Sequence, residues 1–131
     1  VLIPQKNQLW ISLKGGGTWF ENEDSLKEYP IIKNNKKLKE LTILTSKTHV
    51  HQKFQSILEK INPKETKGMG SIGYKISAIL RGDGDLYISY ALPEGTCPQD
   101  WDIAAPYGLI KEAGGFFTNI NGEDLKFKCL N

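Results

Sequence analysis

Three short clusters in this chain hold the residue types that chemistry needs. The first is Asp100-Trp101-Asp102, at what the following pattern marks as the mouth of a helix. A helix start offers unpaired N–H groups and positive partial charge. A carboxylate there caps the helix, or holds at the lip of a cleft a hard cation such as Mg²⁺ that bridges to a phosphate. On spacing alone the cap is the plainer reading. It makes Asp102 the N-cap and packs Trp101. Ala104 and Ala105 allow close approach, and Pro106 falls near the first turn, where a missing N–H costs least. One carboxylate is not a site, because Mg²⁺ phosphoryl chemistry uses several oxygen ligands. Asp83, Asp85 and Glu112 are other acids nearby in sequence, and the first two follow Gly82 in a turn, where Asp is commonplace.

The second cluster is Gly70-Ser71 with Lys75, one helical turn further on and so on the same face. An anion suits such a helix mouth. Lys75 is either a solvated or snorkelling side chain or a phosphate clamp beside that mouth. The third cluster is "TSKTHVH", Thr45 to His51, where a strand passes into a helix. That edge is the usual place for ligand groups in α/β folds. Ser46 or Thr48 could cap the helix, and the default for His49 is the surface.

Position along the chain fixes what holds these clusters. Residues 1–20 read as extended segments turning at Gly15-Gly16-Gly17, and 21–39 as a polar, lysine-rich loop. "LTILT" predicts a buried strand. Val50, Phe54, Ile57 and Leu58 predict an amphipathic helix ending near Asn62-Pro63. Ile72, Ile76, Ile79 and Leu80 predict a second helix, stopped by Gly82. "DLYISYAL" reads as a strand. Ile103, Tyr107 and Ile110 mark one face of a third helix, ended by Gly114-Gly115. "FFTNI" and "DLKF" flank the hairpin signal Asn121-Gly122. Strands alternating with helices from Leu41 onward predict an α/β layer over 41–131, with 1–20 a β-hairpin of a preceding sheet.

With 131 residues, 39% hydrophobic and 24% charged, the chain suits a single soluble domain. A net charge of +2 gives no ground for nucleic-acid binding, and no apolar run approaches a membrane span. Cys97 and Cys129 form no CxxC pair and no ligand set with His49 and His51, which argues against structural zinc and suits a reducing, cytoplasmic compartment.

"WDIAAPYGLIKEAGG" resembles the second signature of the inositol monophosphatase superfamily: Trp-Asp-x-Ala-Ala, then apolar residues, then Glu-Ala-Gly-Gly. "GSIGYKISAILRGDGDLYIS" is similar to its Gly-Ser helix followed by Gly-x-x-Asp-x-Tyr. "LWISLKGGGTWF" is similar to its strand–turn–strand, and "FFTNINGEDLKF" to its closing hairpin. Within the superfamily, "TSKTH", "GSIGYK" and "CPQDWDIAAP" resemble the 3'(2'),5'-bisphosphate nucleotidase branch. Lys47 stands where Arg is common and Pro106 where Gly is frequent.

The resemblance implies the layered α/β sandwich of the inositol monophosphatase and sugar phosphatase type. It implies a Mg²⁺-dependent, lithium-sensitive phosphomonoesterase that hydrolyses 3'-phosphoadenosine 5'-phosphate to AMP and phosphate. Asp102 would be a metal ligand, and Ser46, His49, Ser71 and Lys75 would contact the phosphorylated nucleotide. Inositol or sugar phosphates are the alternative substrates. The family's first signature, Asp-Pro-Ile/Leu-Asp-Gly-Thr, does not occur in the chain. The chain is therefore expected to be the C-terminal part of a longer phosphatase. Its partner would be the N-terminal part, with oligomers possible and apolar surface bared near Val1–Ile3 and Leu9–Leu13. Without that signature, a non-catalytic α/β module is the rival class.

Overall fold

The computed structural model describes residues 1–29, 35–47, 52–90 and 98–127. They fall into two compact units, Val1–Lys33 with Pro98–Asn131, and Asn34–Cys97.

The first unit is built on an antiparallel sheet in the order β1-β2-β3-β4. Its strands are β1 (Leu2–Ile3), β2 (Gln8–Leu13), β3 (Gly17–Asn22) and β4 (Ser25–Tyr29). The β2–β3 turn needs glycine, since Gly15 and Gly17 have φ of +73° and +100°. Trp10 faces Phe20 across the pair, with ring centroids 4.9 Å apart. Strand β4 corrects the expectation of a loop over 21–39. Asn22 Oδ1 accepts from the N–H groups of Asp24 and Ser25, which closes a tight turn and returns the chain as a strand.

Helix α3 (Asp100–Glu112) packs on this sheet, so it belongs with the first strands and not with a continuous layer over 41–131. Its buried stripe is Pro106, Leu109, Ile110 and then Ala113, at helical spacing; of the expected face Ile110 is buried, while Ile103 and Tyr107 are half-buried. Three hydrogen bonds hold its end to the β2–β3 turn and the start of β3. Glu112 Oε2 accepts from the N–H groups of Gly15 (2.9 Å) and Gly17 (3.3 Å), and the buried Thr18 hydroxyl donates to the Leu109 carbonyl (2.8 Å). Thr18→Val is expected to cost about 1 kcal/mol, because a typical internal hydrogen bond contributes about that much. The urea unfolding midpoint measures it, and an unchanged midpoint would remove this bond from the account.

Gly114, at φ +78°, ends α3 as its sequence predicts. The expected closing hairpin reduces to one bridge, Thr118 to Asp124. Asn119 Oδ1 takes the N–H groups of Asn121 and Glu123, a local alternative to ladder bonds. Leu2, Ile11 and Leu13 are exposed, as expected for that stretch, whereas Ile3 is buried and Leu9 half-buried.

The second unit is a parallel sheet in the order β6-β5-β7, made by β5 (Thr42–Ser46), β6 (Glu65–Met69) and β7 (Leu86–Tyr87). The central strand buries Ile43, Leu44 and Thr45, as a strand covered on both faces must. Helix α1 (Gln52–Ile61) buries Phe54 and stops where Asn62 turns left-handed (φ +48°) before Pro63. Strand β6 has no apolar alternation and is not read from its sequence. Helix α2 (Ile72–Arg81) ends on Gly82 at φ +85°, as predicted. Asp85 locks the sheet: its Oδ2 accepts from the Thr42 N–H (2.9 Å), its own N–H donates to the Thr42 carbonyl, and Lys36 pairs with it at 2.7 Å. Asp83 pairs with Arg81 at 2.8 Å. Both acids act in the fold, as turn residues do.

Between them, Gly84 lies so close to the sheet that a Cβ would stand 2.6 Å from Leu44 Cδ2, on a fully buried side chain. Gly84→Ala is expected to destabilise the second unit by about 1–3 kcal/mol through overpacking. A wild-type denaturation midpoint would show that Leu44 has room to move.

Candidate functional site

Parallel pairing brings the carboxyl ends of three strands to one edge of the second unit. Ser46 ends β5 opposite Met69 of β6, and Leu44 of β5 is opposite Tyr87 of β7. From β5 the chain crosses through α1 to β6 on one side, then through α2 to β7 on the other. Ligands of open α/β sheets gather where the strand order reverses in this way. Helix α2 starts from this edge, directly after β6.

Ser71 is the N-cap of α2, its Oγ accepting from the Tyr74 N–H at 3.2 Å. Ser46 is half-buried at the end of β5, and Ser71 is exposed. His49 and Thr48 lie outside the described residues.

Lys75 is not the solvated or snorkelling lysine of the plainer reading. It is 2% exposed, deep in the buried face of α2. Its Nζ donates to the Gly70 carbonyl and stands 4.7 Å from the centre of the Tyr87 ring. Among the described residues no carboxylate pairs with it. Burial without a counter-ion pushes its pKa below the ordinary lysine value, since desolvation disfavours the charged form. Tyr87 is the partner that sequence reading missed. The Gly-x-x-Asp-x-Tyr pattern contains it, but spacing gives no reason to set its ring against a lysine on another element.

In the first unit, Asp102 is not the N-cap. Gln99 is, and Asp102 stands three residues inside a capping box, its Oδ2 accepting from the Gln99 N–H at 2.9 Å. Pro106 lies in the second helical turn, not the first, so the carbonyl of Asp102 has no N–H at that position to receive. Trp101 does not pack: it is 80% exposed, and Ala104 and Ala105 are exposed as well. Asp102 is exposed, and among the described residues one of its two oxygens, Oδ2, accepts a side-chain hydrogen bond. The other, a hard oxygen, suits Mg²⁺ as one donor. No group of three His, Cys, Asp or Glu side chains that could hold a metal ion occurs among the described residues, so they do not complete a site.

A mixed α/β protein results, with a capped helix mouth beside the buried Lys75 in one unit and the exposed Asp102 carboxylate in the other. The inositol monophosphatase family model matches residues 1–130, and the chain belongs to that family. The mouse 3'(2'),5'-bisphosphate nucleotidase 1 is 29% identical over 85 residues, covering 65% of this chain and 26% of the relative. The 3'-phosphoadenosine 5'-phosphate phosphatase of Mycobacterium leprae is 32% identical over 79 residues, or 58% of this chain and 27% of the relative. The chain thus spans about a quarter of these curated relatives. SaIMPase-II of Staphylococcus aureus, solved with inositol monophosphate bound, matches with a TM-score of 0.64 at 16% identity over 93% of this chain and 54% of its own. Its 2'AMP-bound form matches with a TM-score of 0.60 at 16% identity, over 93% of this chain and 53% of its own. These structures share the fold. Among the described residues no helix is long and apolar enough to cross a membrane.

Proposed function

We propose that this chain is the C-terminal part of a cytoplasmic phosphomonoesterase that removes the 3'-phosphate of 3'-phosphoadenosine 5'-phosphate, giving AMP. The observation that carries the reading is the buried Lys75 ammonium, held by neutral partners beside the Ser71 helix mouth. A phosphate is the natural ligand for a cation that no carboxylate among the described residues neutralises. A substrate with two phosphates needs a second anion contact besides the one at the reacting group. In this assignment Ser71 and Lys75 bind the phosphate that stays, with Ser46 and His49 beside the nucleotide. Asp102 contributes one oxygen to Mg²⁺. When bound, that ion neutralises phosphoryl oxygens and lowers the pKa of an attacking water. The remaining ligands would come from outside the described residues, and no reaction step is assigned to those present. The bisphosphate nucleotidases and the phosphoadenosine phosphatase among the relatives support this substrate class over inositol phosphates.

Phosphate release from 3'-phosphoadenosine 5'-phosphate and from inositol 1-phosphate, measured side by side on a version extended to family length, tests the assignment. Higher kcat/KM on the bisphosphate is expected. A preference for inositol 1-phosphate would reassign the substrate, and inertness toward both would favour a non-catalytic module.

A further inference from the structure

We infer that Tyr87 is a positioning residue for anion binding: its ring face and the Gly70 carbonyl form a charge-neutral cradle that holds the Lys75 ammonium at the mouth of α2. The inference rests on the reading of Lys75 as a phosphate contact, and it adds a residue to which no role is assigned.

An ammonium in the protein interior must replace the solvation that water gave it. Lys75 stands in the first turn of α2, where the helix dipole is positive and repels a cation. It is 2% exposed, so water does not supply the missing solvation. A carboxylate is the usual remedy for a buried lysine, and none pairs with it among the described residues. A carboxylate would also cancel the charge and repel an incoming phosphate. The partners present are of another kind. The Gly70 carbonyl accepts one N–H, and the Tyr87 ring offers its negative face 4.7 Å from Nζ. Both are neutral. They stabilise the protonated form and leave its full charge for an anion.

Topology explains why this ring is available. Tyr87 is opposite Leu44 in the β5–β7 register, near the carboxyl edge of the sheet from which α2 departs. Lys75 is on the helix between β6 and β7, so its charge and its cradle come from successive elements of one crossover. A tyrosine hydroxyl is not needed for this role, whereas an aromatic face is.

The test uses the 131-residue chain, with inorganic phosphate as the probe and Lys75 Nζ and Cε followed by NMR. Tyr87→Phe keeps the face and is expected to hold phosphate affinity within about two-fold of wild type. Tyr87→Leu removes it and is expected to weaken phosphate by about ten-fold, which is about 1.4 kcal/mol. Without ligand, Tyr87→Leu is expected to lower the Lys75 pKa further, and Tyr87→Phe to leave it in place. Amide spectra of the α2 and β7 residues verify that both variants fold. Wild-type pKa and affinity in Tyr87→Leu, with Lys75→Met still impaired, would overturn the role of Tyr87 and keep Lys75 as a phosphate contact. Equal loss in Tyr87→Phe and Tyr87→Leu would move the effect to the hydroxyl and also overturn it. Unchanged phosphate affinity in Lys75→Met would instead overturn the phosphate reading, while the ligand-free pKa shift would still report on the cradle.

Discussion

Asp102→Asn, introduced into a version extended to family length, is expected to lower turnover about a hundredfold or more, which is about 2.7 kcal/mol of transition-state stabilisation at 1.36 per factor of ten. Folding stability is expected to stay within about 0.5 kcal/mol of wild type, as for most surface substitutions. The two effects would separate because the capping bond and the proposed metal contact use different oxygens. Asp102 Oδ2 accepts the Gln99 N–H in the capping box, and an Asn carbonyl can accept the same bond. Its other oxygen would lose the negative charge that a hard cation requires. Mg²⁺ titration of the same variant gives a readout besides turnover, with weaker affinity expected. If both Mg²⁺ affinity and turnover remain near wild type, Asp102 is only a helix cap.

Lys75→Met is expected to act in opposite directions on binding and on stability. A charge-assisted bond to phosphate contributes roughly 1.5–3 kcal/mol, so KM for the bisphosphate nucleotide should rise about ten-fold or more. A monophosphate should suffer less. Stability near neutral pH should hold or improve, because the desolvation cost of the buried charge is removed with it.

The pH dependence has a definite sign. Burial lowers the folded-state pKa of Lys75 by desolvation. Between that value and the unfolded value of about 10.4, the unfolded chain binds more protons, so wild-type stability should rise with pH across that window. Below the folded pKa the burial penalty is fully present. Lys75→Met should flatten this rise, and thermal melts from pH 7 to 10 measure it. A destabilised variant with an unchanged KM would make Lys75 a structural residue.

Sequence spacing reaches those features that depend on local chemistry. Gly82 and Gly114 stop helices because the chain turns left-handed there, and Ser71 caps α2 because its hydroxyl reaches the Tyr74 N–H. Features set by distant pairing are not legible in that way. Strand β6, Glu65–Met69, is polar, and its identity comes from lying beside β5. Strand β4 depends on the Asn22 side chain closing a turn. The burial of Lys75 and the exposure of Trp101 invert what their residue types suggest. Both are decided by tertiary surroundings. For Asp102 the sequence points to the right helix mouth and misses the cap by three residues, because a capping box lets the acid sit inside the helix it closes.

On the proposed reading this chain supplies an anion mouth and one metal donor, and its described residues hold no set of carboxylates that completes a metal site. Phosphate release from 3'-phosphoadenosine 5'-phosphate, measured with added Mg²⁺ on the purified 131-residue chain and on a version extended to family length, tests this most directly. The account predicts no release by the 131-residue chain and Mg²⁺-dependent release by the longer one. Turnover by the 131-residue chain alone would contradict it, and would mean that Asp83, Asp85 or Glu112 leaves its structural partner to bind the metal.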